Sequence, residues 1–185
     1  PGIYPDRYLQ HYFGQDDRFF RNVISATWLW TATVLLWLVA IAVAISHMDR
    51  LAIESSLLAT TLTPRHILLF GLCIGLTKIL HELGHAVACK IFGGECREIG
   101  LMFLFGVPCL YCDVSDAWMM PQRWKRVLVS AAGMIVEVTL ASIALIGWVL
   151  MTPGPWRDSA LMIAVIGSVN SVLINGNPLL RYDGY

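Results

Sequence analysis

The chain has 185 residues, 57% hydrophobic and only 14% charged, with a mean hydropathy of +0.64. Soluble globular domains usually carry about 25% charge, so this chain has too little polar surface to coat a water-soluble globule and suits a bilayer. Its formal net charge is zero, which gives no argument for a nucleic-acid partner. Five cysteines, at 73, 89, 96, 109 and 112, are an odd and scattered set that does not read as a disulfide framework.

Residues 1–21 are polar and aromatic and are expected to form a cytoplasmic segment. The chain opens on Pro1 and stops at Tyr185, and is read as an excerpt of a longer protein. Residues 22–48 contain no Asp, Glu, Lys or Arg and predict a first membrane-spanning helix. A second span is expected over 67–90, apolar to Thr77 and then carrying Lys78, His81, Glu82, His85 and Lys90. Residues 127–151, interrupted only by Glu137, predict a third, and the uncharged stretch 159–180 a fourth. Between the second and third, Ile99–Tyr111 is apolar but too short to span and holds two Gly and a Pro. It is expected to be strand-like or re-entrant backbone beside the site. The fold class is thus an all-α membrane protein of about four transmembrane helices, with a short re-entrant or β-hairpin-like segment.

Charge bias gives an orientation. Arg7, Arg18, Arg21, Lys90, Arg97, Arg123, Lys125, Arg126 and Arg181 fall on one side, and Arg50, Arg65 and Arg157 on the other. The side with more basic residues is expected in the cytoplasm, and the second and fourth spans then run in the same direction. His81 and His85, late in the second, share a face of the membrane with Asp183, just past the fourth.

His81-Glu82-Leu83-Gly84-His85 is an HExxH motif on a predicted helix. At about 100° per residue the two histidines point roughly 40° apart, one turn from each other, which is the geometry for two imidazoles to grip one zinc. Glu82 lies beside them as the general base. A catalytic zinc typically takes three protein ligands and leaves a position for water, and Asp183 is the expected third. Asp113 and Asp116 are alternative carboxylates, Asp113 the preferred substitute. Lys78, His81, Glu82, His85 and Cys89 fall in an arc of roughly 100°. Lys78 pairs with Glu82 or Glu137, binds a substrate carbonyl, or reaches interfacial water. Ser130, Gly133, Glu137, Ala141 and Ala144 share a stripe about 80° wide on the third span, and small residues there let helices approach. Glu137 then contacts substrate, braces a histidine, or packs as a neutral acid. Cys109 and Cys112 form a single CxxC, weak as a metal or redox signal.

At these residues the sequence resembles the site-2 protease family of intramembrane zinc metalloproteases. HELGH comes first, followed by Ala88, Gly93-Gly94 and Glu98. The Gly-bearing apolar stretch stands where the family has a membrane-associated β-hairpin. Ala131-Ala132-Gly133 resembles the family's A-G-P-x-x-N, and Asn175 to Gly184 (NGNPLLRYDG) matches N-x-x-P-x-x-x-x-D-G, in which the Asp is the third zinc ligand. Met134 replaces a Pro, Glu137 replaces the Asn that helps hold substrate, and Tyr182 stands where Leu is common. NPLLRYDGY and CDVSDAW look most like a bacterial branch of peptide zinc metalloproteases. The resemblance implies one zinc per chain, held by His81, His85 and Asp183, and a peptide or transmembrane-protein substrate contacted by Asn175, Asn177, Pro178, Glu137 and Lys78. It also implies a multi-pass protein of the cell membrane with its site toward the cytoplasm. Two other readings stand beside it: a non-proteolytic zinc-binding component of a peptide export or modification system, and an ion relay through Lys78, Glu82 and Glu137.

Overall fold

The computed structural model describes residues 27–61, 63–96, 98–104 and 107–175. The N-terminal segment 1–21, the start of the first expected span, and Asn177, Pro178 and Asp183 lie outside the described residues. The helices are α1 (Thr27–Ser46), α2 (Met48–Thr60), α3 (Pro64–Ile91), α4 (Arg123–Leu150) and α5 (Pro155–Val169). Strands β1 (Ile99–Leu104) and β2 (Val107–Cys112) and a 3-10 turn (Ser115–Met119) stand between α3 and α4, and a π-helical turn (Asn170–Asn175) continues α5.

Among the described residues three helices, α1, α3 and α4, are long and apolar enough to cross a membrane. The expected fourth span is described only as far as Asn175. Its helix begins at Pro155, with proline at the start of the first turn, and its α-helical part ends at Val169 after 15 residues. At 1.5 Å per residue that is about 22 Å, and the turn Asn170–Asn175 carries the helical path further. The wider turn beyond it answers to polar side chains: at about 100° per residue Asn170 and Asn175 would point roughly 140° apart, yet both reach the same carboxylate, that of Glu137.

Local sequence sets the helix starts. Thr63 caps α3 by accepting from the His66 N–H at 3.3 Å, and Pro64 follows it. The stretch expected to be strand-like is an antiparallel hairpin, pairing Ile99 with Cys112 through Leu104 with Val107.

Contacts along the helices give their directions. His85 meets Val129 while Lys78 meets Glu137, so α3 and α4 are antiparallel. Arg157 meets Trp148 while Asn170 meets Glu137, so α4 and α5 are antiparallel too. Helices α3 and α5 therefore run the same way, with Cys73 beside Ser159 at their early ends. The shared direction expected of the second and fourth apolar segments is present.

Close approach of α3 to α4 depends on Gly84. A Cβ there would lie 2.9 Å from the Val136 side chain and 3.0 Å from the Ala132 carbonyl oxygen. Two apolar clusters bracket the interface. Cys89, Ala117, Met120 and Val129 seat the 3-10 turn under the end of α3, and Trp148, Ala160 and Leu161 join α4 to α5 at the other end. Leu35, Leu38 and Ile41 of α1 stay exposed, as suits a helix facing lipid, and Trp37 ties α1 to α4 through Thr139 at 3.2 Å.

Helix α2 has no counterpart among the expected elements. It brings Glu54 to Arg157, whose Nη2 donates to both carboxylate oxygens at 2.7 Å. The Trp148 indole N–H adds a bond at 2.9 Å and Arg50 one at 3.0 Å. Arg157, counted above as a loop charge, is a buried ion-pair partner.

Candidate metal centre

The buried residues of α3 are Cys73, Thr77, His81, His85 and Cys89, each four positions from the last. Residues four apart are neighbours on a helix surface, so the row places both histidines against α4. His81 is 3% exposed and His85 6%. Glu82 is half-buried on the turn between them.

The two rings face each other edge to face, with Nε2 of His85 3.0 Å from Nε2 of His81. The opposite nitrogens define their tautomers. His85 Nδ1 lies 2.8 Å from the Val129 carbonyl oxygen, which only accepts, so the ring proton sits on Nδ1. His81 Nδ1 lies 3.3 Å from Glu137 Oε1, a carboxylate that likewise only accepts. The two Nε2 atoms thus meet at one point, and with both ring protons on Nδ1 their lone pairs would converge there on a cation. Two ligand nitrogens at the usual zinc–imidazole distance and a tetrahedral angle stand roughly 3.3 Å apart, close to the separation present.

Gly133 provides the room. A Cβ at this position would come within 2.5 Å of Nε2 of both His81 and His85, so any other residue would fill the space the two nitrogens address. Val129, Gly133 and Glu137 follow one another at intervals of four along α4, and all three are buried. The expected small-residue stripe is present at its centre, where Gly133, Glu137 and Ala141 are buried. Two imidazoles of fixed tautomer beside a gap fit a metal ion.

Among the described residues no group of three His, Cys, Asp or Glu side chains forms a metal set, and Asp183 lies outside them. Asp113 accepts from the Ser115 N–H at 3.0 Å and Asp116 from the Glu95 N–H at 3.2 Å. Both sit in the connection after the hairpin or at its foot. Cys112 Sγ lies 2.9 Å from that of Cys96, and the Cys109 side chain lies outside the described residues.

Lys78 takes the second of its expected partners, with Nζ 3.2 Å from Glu137 Oε1. Asn175 is buried and donates to Glu137 at 3.3 Å. Asn170 and Ser171, not singled out in the sequence, join the same carboxylate at 2.7 Å and 2.6 Å. Their signal was a polar pair inside an uncharged apolar stretch. Val129 left none, because it contributes a backbone oxygen.

A model of peptidase family M50 matches residues 69–176, more than half of the chain. The chain belongs to peptidase family M50. The M50 match takes in the HELGH helix, the hairpin, α4 and α5, the elements that surround the two histidines. The site-2 protease resemblance drawn from the motifs is the same family, and membership in it makes zinc the expected metal. The chain is also similar to a Bacillus subtilis (strain 168) protein, "Putative peptide zinc metalloprotease protein YydH", with 28% identity over 108 residues. That stretch covers 58% of this chain and 41% of the relative, so the chain spans about two-fifths of the length of the protein it matches. No solved structure is significantly similar to it.

Proposed function

We propose that this chain is the membrane core of a zinc-dependent endopeptidase that hydrolyses a peptide bond of a membrane or membrane-delivered peptide. The observation that carries the reading is the convergence of two Nε2 atoms, 3.0 Å apart, on the space beside Gly133. Membership in family M50 and the name of the B. subtilis relative support peptide hydrolysis over an ion relay.

His81 and His85 hold the zinc, and Asp183 completes the set. Asn175, eight positions before it, reaches Glu137, which favours that assignment. When bound, zinc supplies a Lewis acid that makes water a nucleophile near neutral pH. Glu82 takes the proton of the attacking water and returns it to the leaving amine. The hairpin offers an edge on which a substrate can be held extended, and Asn177, Pro178 and Lys78 are assigned to contact it. The basic-residue bias supports a cell-membrane protein with its site toward the cytoplasm.

The test is Glu82→Gln in the full-length protein, comparing the peptides released from membranes with those made by the wild type. Cleavage should vanish while zinc stays bound. Full activity in the variant would overturn the assignment of the base.

A further inference from the structure

We infer that Glu137 is a positioning residue with two linked tasks: it fixes the tautomer of His81 and fastens the Asn170–Asn175 turn to the same point. The inference rests on the zinc reading and assigns Glu137 a place behind the metal ligands, away from substrate.

Burial is the first ground. Glu137 is 0% exposed in an apolar helix, where a carboxylate is costly unless it is compensated. The compensation here is wholly from donors. Lys78 Nζ stands at 3.2 Å, Asn170 Nδ2 at 2.7 Å and 2.8 Å from the two oxygens, Ser171 Oγ at 2.6 Å and Asn175 Nδ2 at 3.3 Å. An ammonium has only protons to give, and the three side chains of the turn all point at the same group. Serine and asparagine can accept as well as donate, so the Lys78 ammonium, which only donates, is the contact that calls for the ionised form. The group suited to this ring of donors is an acceptor-only carboxylate.

The consequence for His81 follows directly. Its Nδ1 is 3.3 Å from Oε1, an ion-pair distance at which the carboxylate draws the ring proton to Nδ1 and favours the lone pair on Nε2. A metal-binding histidine usually gives its second N–H to a carboxylate or a carbonyl, and losing that partner weakens the metal. One face of α4 supplies both kinds, the Val129 carbonyl for His85 and the Glu137 carboxylate for His81, with the gap at Gly133 midway between them. The second task comes from the turn. Residues 170, 171 and 175 lead into 176–185, which carries Asp183. The carboxylate that orients one proposed ligand therefore also holds the turn through Asn175.

In Glu137→Gln the amide nitrogen meets a ring of donors, and His81 Nδ1 becomes its acceptor, moving the imidazole proton to Nε2. We would measure zinc affinity by chelator competition, and the visible spectrum of the cobalt(II)-loaded form, on the full-length protein in detergent. Glu137→Gln should bind zinc about 10–100-fold more weakly, with a changed cobalt spectrum. Asn170→Ala, which removes two bonds from the carboxylate but leaves His81 in place, should fall between it and the wild type. Arg157→Met, remote from the centre, should lower thermal stability and leave affinity and spectrum alone, which separates positioning from mere packing. Wild-type affinity and spectrum in Glu137→Gln would overturn the inference and leave the protease reading standing. If that variant does not fold, unchanged affinity in Asn170→Ala overturns it. A wild type that holds no zinc overturns both.

Discussion

His81 and His85 approach each other through Nε2 at 3.0 Å, while each ring turns its other nitrogen to an acceptor on α4. The two helices thus work as one device: α3 carries the ligands and α4 sets which nitrogen of each is available. An HExxH pair on an isolated helix has the spacing but not the tautomers.

The gap at Gly133 gives the sharpest steric prediction. A methyl group there would sit within 2.5 Å of both imidazoles, and the nearest atoms belong to the ligands themselves. Overpacking of this kind costs about 1–3 kcal/mol, so Gly133→Ala should still insert and fold. Its zinc content after purification should drop well below that of the wild type, whereas Ala144→Gly on the same stripe should keep its zinc. A Gly133→Ala protein with full zinc would mean that the metal lies elsewhere.

Metal removal should register in stability as well as activity. A ligand that binds only the folded state at 100 times its dissociation constant stabilises by about 2.7 kcal/mol. Adding zinc to chelator-treated wild type should raise its melting temperature, and His85→Ala should show little or no rise. Equal shifts in the two proteins would place the binding outside the histidine pair.

Glu54 and Arg157 should govern the stability of the opposite end. Burial pushes the Glu54 carboxyl up, but hydrogen bonds from Arg157, Trp148 and Arg50 outweigh it and hold the group below the usual carboxylate range. A depressed folded-state value stabilises at pH above the unfolded value, and that contribution is lost as pH falls through the folded one. The wild type should therefore weaken on acidification more than Glu54→Gln does. At neutral pH Arg157→Met should cost about 3 kcal/mol, near the low end for breaking a buried pair, because Glu54 keeps a quarter of its side-chain exposure. Thermal melts across pH read both effects; parallel curves for wild type and Glu54→Gln would refute the ion pair.

What the sequence made legible was local. The HExxH turn, the hairpin between Gly- and Pro-bearing ends, and the stripe through Gly133 and Glu137 are periodic patterns within one element. Glu54 and Arg157 were not legible, since 103 positions separate them and neither helix signals its partner. The turn at the end of α5 was not legible, because an apolar run says nothing of the three side chains that reach Glu137 from it. Lys78 had several open partners, and only packing chose Glu137.

The cysteines test the connection after α3. Cys96 and Cys112 lie with their sulfurs 2.9 Å apart, on segments that adjacent numbering would not pair. Treatment with diamide, which takes the two hydrogens as the thiols join, should yield a Cys96–Cys112 cross-link in peptide mass spectra. A Cys109–Cys112 link in its place would favour the CxxC reading and contradict this arrangement of the hairpin.

The most direct measurement is X-ray absorption at the zinc edge of the purified, zinc-loaded full-length protein. The account predicts a first shell of nitrogen and oxygen only, near 2.0–2.1 Å, with the multiple-scattering signature of two imidazoles, lost in His81→Ala and His85→Ala. A sulfur shell at about 2.3 Å, or zinc retained unchanged without the histidines, would contradict it.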